Sequence, residues 1–151
     1  MDLVALEEIR RLKYRYLRCV DRKLWDEFSQ TFTADATAAY GTPAQGEPVT
    51  LRGRDEITAF MRKRLGPDVI TAHTCGQPEI DIDGDEATGT WAFQDTVIIA
   101  KYDVVIVGHA FYEDRYRRDD GVWRISRTGY ERRTYEAQMS LKDLPSFKLT
   151  S

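Results

Sequence analysis

The chain has little of several things that would narrow its function at once. It has only two cysteines, Cys19 and Cys75, in no CxxC or disulfide-scaffold pattern, which is typical of reduced intracellular thiols. Lys and Arg (22) do not outnumber Asp and Glu (25), so the basic excess that holds a nucleic-acid backbone is lacking. No apolar run reaches the length of a membrane span or resembles a signal-peptide core. We therefore expect a cytoplasmic protein with no nucleic-acid or membrane partner.

Motifs for common cofactors and nucleophiles are also missing. No cluster of His, Cys and Asp has the spacing of a metal site, and no P-loop, dinucleotide fingerprint or GxSxG sequence occurs. We expect neither a metal nor an organic cofactor.

The length of the chain predicts one domain over residues 1–151. The hydrophobic pattern predicts mainly helices in the N-terminal part and strands after them. Periodicity predicts helices over residues 3–20, 23–33 and 55–65. It predicts strands over 36–41, 49–52, 69–75 continuing in 79–82, 87–100, 103–117 and 121–136, with turns at 42–46, 83–85 and 119–121. This order predicts an α+β fold whose N-terminal helices pack on a curved, mainly antiparallel sheet and leave a cone-shaped apolar pocket. Residues 141–151 form either a cover for the pocket or a loose tail.

Asp95 is the most informative residue of these strands. It shares a strand face with Trp91, Phe93, Val97 and Ile99, because alternate residues of a strand point the same way. A carboxylate among bulky apolar side chains must take up a proton or find a hydrogen-bond donor. Carboxyl groups in such surroundings cluster at active sites, so we predict that Asp95 belongs to one.

Asp21 and His73 are the candidates for an acid–histidine pair. Asp21 follows the first predicted helix, where its charge opposes the helix dipole. It either caps the next helix or orients a histidine, as carboxylates do in catalytic dyads. His73 lies in an otherwise apolar and Thr-rich strand, either as a hydrogen-bonded core residue or, beside an acidic residue, as a general base.

Further candidates have weaker patterns. Tyr16, on the apolar face of the first helix, and Tyr40, at the end of the first strand, either pack in the core or donate a hydrogen bond to a substrate oxygen. His109 either enters the pocket or is a structural donor. Arg132 and Arg133 lie near the end of the last strand, and one of them at a pocket rim could hold an anionic group.

Five segments carry a resemblance that spans nearly the whole chain: residues 12–21, His73 with 78–80, residues 87–95, 110–114 and 129–132. Together they resemble the SnoaL-like branch of the NTF2-like superfamily, which includes scytalone dehydratases and steroid Δ-isomerases. Within that branch they are most similar to the bile acid 7α-dehydratases. The resemblance implies the cone-shaped α+β fold already predicted from the order of elements, and a homotrimer or homodimer.

The resemblance also implies roles for particular residues. The implied catalytic residues are Tyr16, Asp21, His73 and Asp95. The implied substrate-binding residues are Tyr40, Tyr102, His109 and Arg132. His109 occupies a position that looks like a glycine in the bile acid dehydratases. Cys75 and Gly76 replace a Gly-His pair beside the histidine. These departures bear on the identity of the substrate more than on the chemistry.

The implied function is cofactor-independent dehydration of a hydroxysteroid, such as a bile-acid-like 7α-hydroxy-3-oxo-Δ4 steroid, as a free acid or a CoA thioester. His73 would remove a proton, Tyr16 would hydrogen-bond a developing oxyanion or the departing hydroxyl, and Asp95, kept protonated by its apolar surroundings, would act as an acid or donor. The same dyad would serve an isomerase, a polyketide cyclase or a dehydrohalogenase. A non-catalytic domain that binds a small molecule is the remaining alternative.

Overall fold

The computed structural model describes residues 1–41, 46–144, 146 and 148–150. These ranges contain the helices α1 (Leu3–Arg22), α2 (Trp25–Gln30) and α3 (Arg54–Arg64). They contain the strands β1 (Phe32–Tyr40), β2 (Val49–Arg52), β3 (Ile70–Asp83), β4 (Glu86–Ile99), β5 (Val104–Asp119), β6 (Val122–Tyr130) and β7 (Arg133–Met139). Short 3-10 helices span Ala100–Tyr102 and Leu141–Asp143. None of the helices in these ranges combines the length and apolar character that a membrane crossing needs.

The described strands form one curved sheet in the order β2-β1-β6-β5-β4-β3, and β7 also pairs with β5. Every pair is antiparallel except β1 with β6, which run parallel. The helices pack on one face of this sheet, and the core lies between them and the strands. This architecture confirms the predicted α+β class with N-terminal helices on a mainly antiparallel sheet.

Helix α1 positions the site because of how it begins and ends. Asp2 caps its start by accepting a hydrogen bond from the Ala5 amide at 2.9 Å. Its apolar face is buried against the sheet, and the helix ends at Arg22, followed by the C-cap residue Lys23 in a left-handed conformation. Asp21 therefore lies in the last turn rather than after the helix. It does not cap α2, whose N-cap residue Leu24 makes no side-chain capping bond.

Two predicted elements differ from the structure. The second helix ends at Gln30, and Phe32 already belongs to β1, where it pairs with Ile125 of β6. The single strand predicted over 121–136 is two strands, broken at residues 131 and 132. At the end of β6 the parallel strand β1 passes so close that any side chain at Gly129 would collide with the Ala39 backbone.

The predicted interruption within 69–82 is a shift of register inside the continuous strand β3, where Gln77 adopts a positive φ of 50°. The predicted turn over 42–46 falls mostly on residues 42–45, which lie outside the described residues. Of the predicted tail, Leu141–Asp143 forms a 3-10 helix. Next to this helix, Asp103 accepts hydrogen bonds from the Ser140 hydroxyl and the Lys142 amide. Residues 145, 147 and 151 lie outside the described residues.

Candidate active site

Asp21 and His73 form a closely bonded pair between α1 and β3. The Nδ1 atom of His73 lies 2.6 Å from Asp21 Oδ1, and the His73 amide donates to Asp21 Oδ2 at 2.8 Å. The Thr71 hydroxyl donates to Asp21 Oδ1 at 2.9 Å. A carboxylate only accepts hydrogen bonds, so Nδ1 carries a proton, and in the neutral form of the ring Nε2 has the free lone pair of a base. The two side chains are only 11% and 22% exposed, so this base is partly shielded from solvent.

Asp95 faces His73 from the neighbouring strand, since the two residues are register partners in the β3–β4 pair. Asp95 Oδ2 lies 3.8 Å from His73 Nε2. Asp95 points to the same side as Trp91 and Phe93, as its strand parity predicts, and is buried. The donor that its burial requires is Arg133, whose two terminal nitrogens bond the two carboxylate oxygens.

This partner changes the protonation expected for Asp95. Both of its oxygens accept hydrogen bonds from a guanidinium, so it is one half of an ion pair rather than a protonated acid. Burial alone would lower the pKa of Arg133, but the hydrogen bonds and charge of Asp95 outweigh this and hold that pKa above its usual value. The apolar strand face is therefore occupied by an internal ion pair, with side chains 6% and 4% exposed.

A row of residues across the sheet makes room for this pair. His73, Asp95, Gly108 and Glu136 are successive register partners on β3, β4, β5 and β7. The guanidinium of Arg133 occupies the space where a side chain at position 108 would stand. Its Nε lies 3.6 Å from Glu136 Oε2, so the cation sits between two carboxylates. A side chain at position 108 would therefore have to displace the Arg133 guanidinium from its place beside Asp95.

Tyr16 and Tyr40 meet through their hydroxyl groups at 2.7 Å. Tyr40 lines the cavity described below, whereas Tyr16 lies behind it with 1% of its surface exposed and no part in the lining. Burial raises the pKa of both phenols well above the usual value, so both keep their protons. With one hydroxyl donating to the other, Tyr40 is the member of the pair that can contact a ligand.

A cavity of about 340 Å³ opens between α3 and the concave face of the sheet. One part of its wall is polar and comprises Tyr40, Thr71, His73, Asp95, Tyr112, Tyr130, Arg133 and Glu136. The rest of its wall is mainly apolar and includes Phe60, Met61, Leu65, Val69, Val97, Ile99 and Ile106. An apolar cleft of this size with a few converging polar groups is typical of a small-molecule site.

Three predicted substrate-binding residues lie outside this cavity. Tyr102 is 66% exposed in the 3-10 helix that follows β4. His109 lies beside Thr134 and Tyr135 on the opposite face of the sheet, with Nδ1 2.9 Å from the Thr134 hydroxyl. Arg132 is exposed in the break before β7, and Arg133 enters the cavity instead. The break at residues 131 and 132 shifts by one residue which side chains face the cavity. The single unbroken strand predicted from the sequence did not contain this shift.

The structure also brings in residues that the sequence reasoning missed. Tyr112 and Tyr130 line the cavity, and Arg133 was only one of two candidate arginines. Lys13 is fully buried on the inner face of α1 and pairs with Asp114 at 2.8 Å. Its position within the apolar stripe of the helix, four residues after Ile9, was the available signal.

The fold and the site together define a class of α+β proteins in which helices pack on a curved sheet and an acid–histidine pair lies at an apolar cavity. The family model of the SnoaL-like domain matches residues 1–129, so the chain belongs to the SnoaL-like family.

Known relatives and structures are consistent with that assignment. An uncharacterized protein of Mycobacterium tuberculosis is 27% identical over 125 residues, which is 80% of each chain. A protein of Novosphingobium aromaticivorans, provisionally assigned as a scytalone dehydratase, superposes with a TM-score of 0.79 at 22% identity, covering 90% of this chain and 88% of the other. A type 2 hexachlorocyclohexane dehydrochlorinase superposes with a TM-score of 0.78 at 20% identity, covering 92% and 91%. At these identities the two structures show a shared fold.

Proposed function

We propose that this protein is a cofactor-independent lyase that eliminates water from a hydroxysteroid or a similar polycyclic alcohol. The observation that carries the proposal is the His73–Asp21 pair at the wall of a largely apolar cavity. A neutral imidazole with its Nδ1 proton held by a carboxylate is a general base at Nε2. A positioned base of this kind contributes about 10²–10⁴-fold to a rate.

His73 removes the proton that elimination requires. Its Nε2 takes a proton from a carbon made acidic by a conjugated carbonyl, and the electron pair moves into the conjugated system. Asp21 stabilises the imidazolium that forms, and the Asp95 carboxylate, 3.8 Å from Nε2, adds a second favourable charge. The hydroxyl group then leaves and takes up the proton that His73 holds, so it departs as water and His73 is neutral again.

Tyr40 stabilises the oxygen that gains charge or departs. It takes the role that the family resemblance suggested for Tyr16, because Tyr40 reaches the cavity and Tyr16 bonds it from behind. A hydroxyl that accepts one hydrogen bond becomes a better donor in the next, so the pair acts as a short relay. Tyr16 is a positioning residue in this arrangement.

Asp95 and Arg133 hold the polar wall of the cavity in place. The ion pair is closed on itself, so Arg133 orients Asp95 towards His73 rather than presenting a free cation. Asp95 therefore acts through its charge and its position, not as a proton donor.

The experiment is mass spectrometry of the protein incubated with 7α-hydroxy-3-oxo-Δ4 steroids, as free acids and as CoA thioesters. We expect the loss of one water, absent in His73→Ala. Thermal unfolding shows whether that variant stays folded. His109→Ala, on the opposite face of the sheet, is the matched control and should keep its activity.

The products also separate the neighbouring reactions that the same base would start. An isomerase or cyclase gives no change of mass, and a dehydrohalogenase releases halide from a halogenated substrate. Turnover retained in a folded His73→Ala protein would refute the proposal for all of them.

A further inference from the structure

Among the residues that the structure describes, none is hydrogen-bonded to the hydroxyl of Tyr112. Tyr112 is 3% exposed and lines the cavity. Within the described part of the chain its ring contacts are many, but no hydrogen bond to its hydroxyl is found. The other buried phenols, Tyr16, Tyr40 and Tyr116, are each hydrogen-bonded to a side chain. Buried phenols normally have a partner, so a cavity-lining phenol without one points to a group that enters the cavity.

The ring of Tyr112 is held firmly enough to aim that hydroxyl. Phe93 stacks on it with centroids 4.2 Å apart, and Tyr130 and Tyr16 meet it edge-on at 5.6 and 6.1 Å. Phe93 also contacts the His73 ring, at 6.4 Å. A phenol fixed by three aromatic neighbours loses little further freedom when it binds a ligand, which favours binding.

A buried cation lies against the same ring. Lys13 Nζ stands 3.4 Å from the Tyr112 centroid and 2.8 Å from Asp114 Oδ2. Asp114 is held in turn by the hydroxyls of Tyr116 and Thr128. Burial lowers the pKa of Lys13, and the charge and hydrogen bond of Asp114 oppose that effect. A cation over the face of an aromatic ring is attracted by the ring electrons, so Lys13 adds to the contacts that fix the Tyr112 ring.

We propose that Tyr112 donates a hydrogen bond to the substrate oxygen that gains charge when His73 removes the proton. This rests on the proposed function and deepens it, since it requires a substrate with a carbonyl conjugated with the reacting carbon. The proton moves from carbon to His73 Nε2, the electron pair moves to the carbonyl oxygen, and the Tyr112 proton stays on its own oxygen.

The state of the phenol suits this role. Burial is the largest of the effects that raise the pKa of Tyr112 well above its usual range, so the group is a donor at neutral pH. Tyr40 and Tyr112 line the same cavity, and their hydroxyls are two separate donors there. One can serve the carbonyl while the other serves the departing hydroxyl.

The test uses two probes that need no turnover. 2-Naphthol is a planar ligand with one hydroxyl oxygen, and 2-methylnaphthalene has nearly the same shape without it. Their dissociation constants are measured by fluorescence titration for the wild type, Tyr112→Phe and the control Tyr135→Phe, which changes an exposed tyrosine on the opposite face. Tyr112→Phe removes one oxygen and keeps every ring contact, so the fold is retained.

We expect Tyr112→Phe to weaken 2-naphthol binding by about three- to tenfold, the effect of one hydrogen bond, and to leave 2-methylnaphthalene unchanged. Equal 2-naphthol affinities in both proteins would overturn the proposal, as would equal losses for both probes or no binding to the wild type. Because no reaction is involved, a failure of the lyase assay with a positive 2-naphthol result refutes the reaction alone. Turnover with a negative 2-naphthol result refutes Tyr112 alone.

Discussion

Replacing Asp21 by Asn tests the base directly. The carboxylate accepts three hydrogen bonds, from Thr71, from the His73 amide and from His73 Nδ1. Asn has the same shape but only one accepting oxygen, and its NH₂ group can donate to Nδ1. The imidazole proton then moves to Nε2, the atom that must accept the substrate proton.

The expected loss is large because the tautomer and the charge both change. A correctly placed general base is worth about 10²–10⁴-fold, and we expect kcat to fall within that range. The free energy of unfolding should change only modestly compared with the loss in kcat, since the Asn side chain keeps the volume of Asp21 and is partly exposed. Lost hydrogen bonds to a charged group are each worth about 1.5–3 kcal/mol before exposure to solvent reduces this.

The assay combines kcat with the ¹⁵N spectrum of the imidazole rings. The chain has two histidines, so the spectrum contains two rings, and His109→Gln assigns them. We expect the His73 signals to switch from the Nδ1–H to the Nε2–H tautomer in Asp21→Asn. Asp35→Asn, which weakens an exposed ion pair with Arg117, is the control and should change neither readout. A folded Asp21→Asn protein with more than about a tenth of the wild-type kcat would refute the reasoning.

Three further changes probe the surroundings of the base. Gly108→Ala should push the Arg133 side chain out of its place. We expect kcat/KM to fall about tenfold and the free energy of unfolding to fall by about 1–3 kcal/mol, as measured by steady-state kinetics and denaturant unfolding. A variant in which both values are unchanged would contradict the packing described. Lys13→Met should lower the free energy of unfolding by about 3–5 kcal/mol, because the Asp114 carboxylate is left buried without its cation. Adding Asp114→Leu should restore only part of this loss, because the Tyr116 and Thr128 hydroxyls then lose their acceptor. Ile106→Trp should fill the cavity and raise KM at least tenfold with little change in unfolding temperature, whereas an unchanged KM would place the substrate elsewhere.

Local patterns were enough to predict most elements of the fold. The bounds of β2 agree with those predicted, and the face shared by Asp95, Trp91 and Phe93 follows from strand alternation alone. The extension of α2 was wrong because Phe28 and Phe32 are both buried four residues apart, which is the spacing of a helix face. Only the pairing of Phe32 with Ile125, a contact distant in sequence, shows that the second residue belongs to a strand.

The partners within the site depend on register, which the sequence does not display. Asp95 and His73 could be singled out one at a time, but their opposition across β3 and β4 is a property of the folded sheet. The choice between Arg132 and Arg133 depended on the break between β6 and β7, whose residues 131 and 132 are neither Gly nor Pro. Tyr112 could have been found, because it alternates with Ala110 and Asp114 on a buried strand face.

Helix α1 is tied to three different strands by residues within three turns. Lys13 bonds Asp114 on β5, Tyr16 bonds Tyr40 on β1, and Asp21 bonds His73 on β3. A slide of the helix by one turn, about 5.4 Å, would break all three bonds together. Helix α1 therefore fixes the position of Asp21, and through it the orientation of His73, relative to the three strands. New specificities in this scaffold would have to arise on α3 and the outer ends of β4 and β5, where the apolar wall can change without disturbing the helix.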